Sequence, residues 1–326
     1  MGTRNKPEKP VTNFLNSYPN KKTQENYRIS ITHFLHAVCS PSRSGRFREP
    51  DILALRYFKE LEEGNRTCIN DLRNYAVLLC KKYAPTTANL YLSLTVSWLD
   101  ENRHHLTRRE RFRIFALLPP AYPQEENVEI KRRTFRQVYC NLTEEASVLF
   151  LVLTASGMRL GEALRLKRSD IDWGEELTEI TIPAEITKTK TSRRTYLTEE
   201  ASFALLNYLR ERRDTDERLF CISYHQAQRF MRNTSDLLGF TKVVNGRTRR
   251  IHWHMTRKWF ISRFSLAANK DVAEHIAGHE GYLSKSYRRY SKKQIMKEYR
   301  KAEQKLSIHT FSTGYAVFSE PEVGEK

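Results

Sequence analysis

The amino-acid sequence predicts a mainly α-helical protein of two domains, with a small antiparallel sheet in the second. Three observations lead to this fold class. Apolar residues recur at helical spacing along most of the chain. A proline-rich polar stretch interrupts that pattern near residue 120, and short strand-like runs occur only after it. The 326 residues suffice for two domains that each bury a core of their own.

The first domain is predicted to be a helical bundle over residues 21–118, preceded by a flexible polar lead-in over residues 1–20. Its first helix follows Thr23, which can cap it, because apolar residues then recur three and four positions apart. Further helices are predicted at 51–63, 71–83 and 87–99. Thr107 and Glu110 form a capping-box pattern, which opens the short last helix of the bundle.

Three prolines between residues 119 and 123, followed by polar residues, predict a linker over residues 119–133. The second domain covers residues 134–307, and residues 308–326 form a polar tail. Its helices are predicted at 134–141, 143–155, from 159 onward, and at 199–212, 226–238, 254–268, 272–277 and 292–306. Two short strands, at 179–183 and 195–197, flank a basic turn. Pro183 makes the first an edge strand, because proline cannot donate a ladder hydrogen bond.

The composition is strongly basic. Lys and Arg total 56 against 38 Asp and Glu, which gives a formal net charge of +18 and a pI near 9.7. Such a balance favours a polyanionic partner, although a basic but otherwise ordinary soluble enzyme has the same signature. Lys131, Arg132 and Arg133, at the end of the linker, are suited to follow a row of phosphates.

The composition also argues against several classes of protein. The five cysteines are scattered and never spaced as C-x-x-C, which disfavours a disulfide framework and a structural zinc site. No apolar run reaches the length of a membrane span, and the polar start is unlike a signal peptide. We therefore expect a cytoplasmic protein without a membrane partner.

Two arginines in the second domain are candidates for binding one phosphate. Arg159 follows Gly157 at the junction between two predicted helices, and Arg257 lies three residues after His254 on another. Two guanidinium groups can bind the non-bridging oxygens of a phosphate and stabilise the charge that grows in the transition state. The alternative is an ion pair with a carboxylate, for which Glu162 is an obvious partner of Arg159.

Two histidines near these arginines are candidates for moving protons. His254 and His279 are expected to donate hydrogen bonds to phosphate and to exchange protons. His275 and His279 also have the i, i+4 spacing of a metal site. However, the glutamate of H-E-x-x-H is missing, and Gly278 would break the helix between the two. We therefore expect neither a metal ion nor another cofactor.

Two lysines lie between the predicted strands. Lys188 or Lys190 could reach a leaving oxygen from this turn and give it a proton, which an arginine cannot do at neutral pH. The alternative for one of them is a solvated turn that contacts the DNA backbone. The same solvated role is expected for Arg193 and Arg194.

The remaining requirement is a nucleophile, and Tyr282, Tyr287 and Tyr290 follow His279 closely. A phenol is a weak nucleophile, but neighbouring arginines and a histidine can favour its phenolate form. For any single tyrosine, packing in the core is the alternative. Together the candidate side chains could hold a phosphodiester without a metal and attack it. They therefore suit the breakage and rejoining of DNA through a phosphotyrosine.

In this order the residues resemble the tyrosine recombinase family, the phage-type integrases. The resemblance rests on T-x-S-G-M-R-x-G-E around Arg159, a lysine between two strands, H-x-x-R at His254, and G-H at His279 followed by a tyrosine. It covers roughly residues 134–292, about half of the chain. No single motif is specific, but the ordered set is.

The resemblance implies a role for each residue. It implies Arg159 and Arg257 as phosphate clamps and Lys188 as the general acid. It also implies that His254 and His279 contact the phosphate and exchange protons, and that Glu162 is a supporting carboxylate. Lys188 is preferred to Lys190 on the count back from Tyr196-Leu197, which resembles the start of the family's Pro-Leu strand. Family members commonly place the tyrosine nine residues after the histidine of G-H, where this chain has Arg288. Tyr287, one residue short, is our predicted nucleophile, and Tyr290 is the alternative.

The resemblance also implies an architecture and partners. A helical core-binding domain and an α+β catalytic domain would close around double-stranded DNA attachment sites, and four copies would act on paired sites. The implied activity is recombination through a 3′-phosphotyrosine, without metal or ATP, that integrates or excises a mobile element at the nucleoid. Two alternatives stay open, a non-catalytic DNA-binding protein of the same fold and a type IB topoisomerase-like strand transferase.

Overall fold

The computed structural model describes residues 9–39, 49–120, 131–174, 176–244, 247–249, 251–278 and 290–309. The chain divides between Asn127 and Val128 into two compact units. This division falls inside the range that the sequence predicts for the linker. In the described ranges, no helix combines the length and the apolar character needed to cross a bilayer.

The described part of the first unit is helical throughout. Its helices are α1 (Pro10–Asn16), α2 (Lys21–Cys39), α3 (Pro50–Glu62), α4 (Cys68–Lys82), α5 (Pro85–Glu101) and α6 (Arg108–Phe115). The predicted capping box of α6 is confirmed, because Thr107 and Glu110 each accept the other's amide with a side-chain oxygen. At the centre of the core, the Phe34 ring makes edge contacts with Tyr57, Tyr75 and Trp98.

Helix α1 corrects the prediction of a flexible lead-in over residues 1–20. Pro10 occupies its first turn, where a missing N–H is harmless and the fixed φ favours a helix. Val11, Phe14 and Leu15 form one apolar face and are buried in the core of the first unit. With seven residues, the helix is too short for its periodicity to stand out in the sequence.

The second unit combines helices with two small antiparallel sheets. Its helices are α7 (Arg132–Cys140), α8 (Glu144–Ser156), α9 (Leu160–Ala163), α10 (Glu199–Glu211), α11 (Tyr224–Leu237), α12 (His254–Ala267), α13 (Lys270–Ala277) and α14 (Lys292–Leu306). Its strands are β1 (Ile171–Asp172), β2 (Glu179–Ile182), β3 (Arg193–Tyr196), β4 (Lys242–Val244) and β5 (Arg247–Arg249). The predicted fold class, mainly helical with a small antiparallel sheet, is confirmed.

The larger sheet has the order β1-β2-β3, so β2 is its central strand. The prediction that Pro183 makes this an edge strand was wrong. The strand ends at Ile182, so the proline lies just beyond the ladder and its missing N–H interrupts no pairing. The sequence did not reveal β1, because two residues show no alternation, and it did not reveal the β4–β5 hairpin.

Helix α8 is the centre of the second unit. Every residue from Val148 to Ser156 is buried, which explains the continuous apolar run of this helix. The helix contacts α10 and α12, and α12 packs in turn on α13 and α14. The elements that carry most of the candidate residues therefore meet around the C-terminal end of α8.

Candidate functional site

The site begins at the turn that ends α8. Gly157 caps this helix with a left-handed backbone, at φ +63°. The turn lies against Phe260 of α12, so closely that a side chain at position 157 would overlap the aromatic ring. Glycine is required here for both reasons. The chain then reverses and presents Arg159 at the start of α9.

Arg159 is held by a buried carboxylate and still faces solvent. Its amide donates to Oε2 of Glu162 over 2.8 Å, and its Nη1 donates to Oε1 over 3.0 Å. The side chain of Glu162 is 2% exposed, whereas that of Arg159 is 31% exposed. The predicted ion pair is therefore present. It holds the guanidinium on its buried side and leaves the other side accessible to solvent.

Arg257 is the most deeply buried arginine of the site, with 1% of its surface exposed. Its Nη1 donates to the carbonyl oxygen of Gly157 over 2.7 Å and to that of Ala277. Its Nε and Nη2 are buried without a hydrogen-bond partner among the described residues. Burial, together with the charges of Arg159 and Arg193, lowers the pKa of this guanidinium to about 10. An anion that accepted hydrogen bonds from Nε and Nη2 would offset the cost of burying this charge and the cost of leaving the two donors unbonded.

The end of α13 brings three arginines together. The carbonyl oxygen of Ile276 accepts a hydrogen bond from Nε of Arg193 over 3.1 Å. The next carbonyl oxygen, of Ala277, accepts from Nη1 of Arg257, and that of Gly278 accepts from Nη2 of Arg159 over 3.4 Å. The last carbonyls of a helix lack partners within it and carry its negative dipole end, so they attract cations. Three guanidinium groups from three different elements are thus placed around one helix terminus.

Arg193 corrects a prediction. We expected it on a solvated turn, but it is the first residue of β3 and its side chain is 8% exposed. It donates to both carboxylate oxygens of Glu162, with Nη2 at 2.5 Å and Nη1 at 3.3 Å. Arg194 points to the other face, is 57% exposed and pairs with Glu179 over 3.2 Å. Strand alternation separates the two, since neighbouring side chains point to opposite sides.

Glu162 is the shared partner of Arg159 and Arg193. Burial alone would raise the pKa of its carboxyl group, but the hydrogen bonds and charges of Arg193 and Arg159 outweigh burial, and the pKa is lowered. The group is therefore an anion at neutral pH. Since the cluster contains three guanidinium groups and one carboxylate, the site keeps an excess of positive charge and can accept an anionic group.

Both candidate lysines lie where the sequence predicted them, in the turn between the antiparallel strands β2 and β3. Lys188 and Lys190 are exposed. Lys190 has a left-handed backbone, at φ +54°, and its Nζ lies 3.4 Å from the carbonyl oxygen of Glu185. The choice of Lys188 as general acid stays a prediction.

His254 begins α12, one turn before Arg257, and is exposed. Its ring is nearly parallel to that of His252, with the ring centroids 6.5 Å apart. His279, Tyr282 and Tyr287 lie outside the described residues. Their predicted roles therefore stay predictions.

Tyr290, the alternative nucleophile, is half-buried at the start of the next described range. Its ring lies 5.7 Å from that of His275, and it packs against the core between α12, α13 and α14. Its part as the alternative nucleophile stays a prediction.

The three basic residues at the start of α7 differ in exposure and in contacts. Lys131 and Arg133 are exposed. Arg132 is half-buried, and its Nη2 donates to the carbonyl oxygen of Gln304, at the end of α14, over 3.0 Å. One nitrogen of Arg132 is thus bound within its own unit, and the role of the triplet as a phosphate track stays a prediction.

In the ranges that the structure describes, no three His, Cys, Asp or Glu side chains come together to hold a metal ion. The described side chains instead provide guanidinium groups, one shared carboxylate and exposed lysines. This set can bind a phosphate and stabilise negative charge. What sequence reasoning missed is the part that Arg193 and the carbonyls of α13 play in arranging it.

Known proteins share the family and the fold of this chain. A sequence model of the phage integrase family matches residues 130–309. A search of curated proteins found no match. The structure is similar to XerH site-specific recombinase bound to palindromic difH substrate, with TM-score 0.53, 15% identity, and coverage of 89% of this chain and 92% of that chain.

Two other solved structures are similar over comparable lengths. A lambda integrase dimer bound to a COC′ core site has TM-score 0.55 and 13% identity, covering 94% of this chain and 79% of that chain. The Tn1549 transposon integrase in complex with circular intermediate DNA has TM-score 0.51 and 14% identity, covering 79% of this chain and 92% of that chain. At these identities the similarity establishes the fold.

Proposed function

Because the chain belongs to the phage integrase family, which matches residues 130–309, we propose that it is a site-specific DNA recombinase. It cleaves and rejoins DNA through a 3′-phosphotyrosine, without metal or ATP, and integrates or excises a mobile element. One observation carries this proposal furthest. Arg257 is buried with two nitrogens that no described residue accepts, and it shares the end of α13 with the accessible Arg159. The donors of such a pair are preorganised to bind a phosphate.

In the proposed mechanism, Arg159 and Arg257 bind the non-bridging oxygens of the scissile phosphate. Charge grows on these oxygens as the nucleophile attacks, and fixed donors stabilise it without reorganisation. Glu162 holds Arg159 in place as an anion, since its lowered pKa keeps it ionised. The clamp is therefore assembled before DNA binds.

The covalent step exchanges one phosphoester for another. The phenol oxygen of Tyr287 bonds to phosphorus and its proton passes to a base, for which His254 and His279 are the candidates. The bond from phosphorus to the 5′ oxygen breaks, and Lys188 gives that oxygen a proton. The 5′ hydroxyl of a partner strand then reverses the sequence and frees the phenol. Since a phosphoester is kept throughout, no external energy source is needed.

Tyr287 remains the preferred nucleophile, and Tyr290 the alternative. The packing of Tyr290 against His275 supports a structural role for that residue. A tyrosine whose ring packs against a core is less free to approach a phosphate. The spacing from His279 also requires the smaller change for Tyr287.

The proposed partner is double-stranded DNA at paired attachment sites, with four copies of the chain acting together. The XerH and lambda integrase structures hold DNA, which supports this partner class. Exposed cations are the candidate contacts to the DNA backbone, namely Lys131, Arg133, Lys190 and Arg194. A protein with this substrate works in the cytoplasm, at the nucleoid.

The test uses a nicked, labelled duplex in the presence of EDTA. A binding site is first selected from random-sequence duplexes, and nicks are then placed just downstream of each candidate phosphate. The short fragment with the 5′ hydroxyl diffuses away, so a covalent adduct accumulates. We expect a denaturation-resistant band whose modified peptide, mapped by mass spectrometry, contains Tyr287. Tyr287→Phe should abolish it, and a band that survives this change but not Tyr290→Phe would move the nucleophile.

Arg159→Ala should lower the cleavage rate at saturating protein by about 10²–10³-fold, because one donor to the developing charge is lost. DNA affinity should change little, since many other cations contact the backbone. Arg210→Ala, an exposed arginine on α10, is the control. An equal loss of affinity and rate would make Arg159 a general phosphate contact.

The alternatives give other outcomes in the same assay. Tight binding to a verified site without any adduct would indicate a non-catalytic DNA-binding protein of this fold. An adduct that relaxes supercoiled DNA, but does not join two sites, would indicate a type IB topoisomerase-like strand transferase.

A further inference from the structure

Arg193 differs from the other two arginines of the site in what its nitrogens do. Its Nε donates to the Ile276 carbonyl, and its two terminal nitrogens donate to the two oxygens of Glu162. All three nitrogens are therefore bound to protein groups. Arg257 keeps two nitrogens without a described partner, and Arg159 is partly exposed. Of their five N–H groups, Arg257 and Arg159 therefore have more left to offer a substrate than Arg193 has.

The shared carboxylate explains why a third arginine is needed. Glu162 is 2% exposed and can accept a bidentate pair from a single guanidinium. Without Arg193, the Glu162 carboxylate would attract Arg159 alone. Both terminal nitrogens of Arg159 would then turn toward this carboxylate. With Arg193 in place, only one terminal nitrogen of Arg159 donates to the carboxylate. The remaining donors of Arg159 stay available.

The side chain of Arg193 also packs against Gly278 at the end of α13. A Cβ atom at position 278 would lie 2.8 Å from Nε of Arg193, and the backbone there is left-handed, at φ +69°. Gly278 is thus required by the position of the Arg193 side chain as well as by its own conformation. The hydrogen bond from Arg193 to the Ile276 carbonyl lies directly beside the two carbonyls that accept from Arg257 and Arg159.

From this geometry we propose that Arg193 is a positioning residue for cleavage, which saturates Glu162 and the end of α13 so that Arg159 can bind the scissile phosphate. The inference rests on the proposed function. Arg193 itself does not touch DNA in this arrangement. Its removal should therefore reduce the rate of cleavage and leave affinity for DNA nearly unchanged.

The test compares Arg193→Met with Arg212→Met. Arg212 is a matched control, because its side chain is also 8% exposed and also forks onto one carboxylate, that of Asp214, away from the site. Cleavage of the nicked duplex is measured at saturating protein, together with DNA affinity and melting temperature. We expect Arg193→Met to slow cleavage by about 10–100-fold, as misplaced catalytic groups do. Arg212→Met should cleave at the wild-type rate.

Two further measurements separate positioning from general damage. A duplex with a methylphosphonate at the scissile position lacks one charged oxygen, so a defect that acts through Arg159 should be smaller on it. Arg193→Met and Arg159→Ala should show this same reduction. Arg193→Lys should recover only part of the rate, since a lysine cannot fork onto a carboxylate. This variant decides the question if Arg193→Met does not fold.

Each outcome has one meaning. Equal cleavage rates for Arg193→Met and Arg212→Met would overturn the positioning role while leaving the recombinase proposal intact. An equal defect on phosphate and methylphosphonate would overturn it too, because the effect would not pass through the clamp. A wild-type protein that binds its site and forms no adduct would overturn the proposed function and this inference together.

Discussion

At the scale of single residues, the site depends on glycine as much as on arginine. Gly157 lets α8 end against α12, and its carbonyl oxygen accepts a hydrogen bond from Arg257. A Cβ atom there would lie 2.3 Å from Cδ1 of Phe260. The contact between the two helices, and with it the position of the buried guanidinium, requires the absence of a side chain at this one position.

Gly157→Ala should lower the free energy of unfolding by roughly 2–5 kcal/mol, the sum of left-handed strain and overpacking. Gly239→Ala is the matched control, since Gly239 has φ +66° and nothing within 4 Å of its Cβ position. It should cost only about 1–2 kcal/mol. Urea denaturation of both variants measures the difference. Equal losses would show that the Phe260 ring yields without cost.

The sequence motifs located Arg159, Arg257 and Glu162, and the structure brings these three together. They placed Arg193 wrongly. Arg193 and Arg194 are adjacent and chemically identical, so nothing in the sequence says which one faces the core. That choice depends on the pairing of β3 with β2, which tertiary structure determines.

At the scale of elements, α14 is anchored at its C-terminal end by groups from three other helices. Trp259 of α12 donates its indole N–H to the Leu306 carbonyl, and Arg136 of α7 donates to that of Ile308. Glu200 of α10 accepts the amides of Ile308 and His309 and contacts the His309 ring. The helix end therefore has a fixed position in the second unit.

Glu200→Ala should lower the free energy of unfolding of the second unit by about 1–3 kcal/mol, because two amides lose their acceptor. The same change should speed hydrogen exchange at the Ile308 and His309 amides. Glu199→Ala, one residue earlier and exposed, is the control. Unchanged exchange at both amides in the Glu200 variant would show that the carboxylate does not hold this segment.

Element length decided which parts of the fold the sequence revealed. Long helices with apolar faces, such as α2 and α8, were predicted because several turns repeat the same pattern. Helix α1 and strand β1 were missed, since seven and two residues are too few to establish a period. Helix α1 is stabilised by the burial of its apolar face, and β1 by its pairing with β2.

At the scale of the whole molecule, net charge rather than fold would set the strength of the proposed encounter with DNA. A formal charge of +18 attracts a polyanion as a whole, whereas in the proposed function the arginine cluster acts at a single phosphate. Affinity and cleavage should therefore respond to different residues, because exposed cations contribute to binding and the buried cluster contributes to chemistry.

Affinity for the selected duplex should fall steeply with salt, because phosphate contacts release counterions. Six to ten contacts correspond to a loss of about 10³–10⁵-fold between 50 and 200 mM salt. Lys131→Ala should reduce the slope of log Kd against log salt by about one if this exposed lysine meets a phosphate. Fluorescence anisotropy titrations give both values. A flat response would contradict DNA as the partner.

The end of α13 also restricts how the length of this chain can change. Residues 276, 277 and 278 each present a carbonyl to a different arginine, so an inserted or deleted residue would give each guanidinium the wrong acceptor. The helix therefore tolerates substitution more readily than insertion or deletion. A change of length after Gly278, in the stretch that leads to the predicted nucleophile Tyr287, would leave the order of these three carbonyls unchanged.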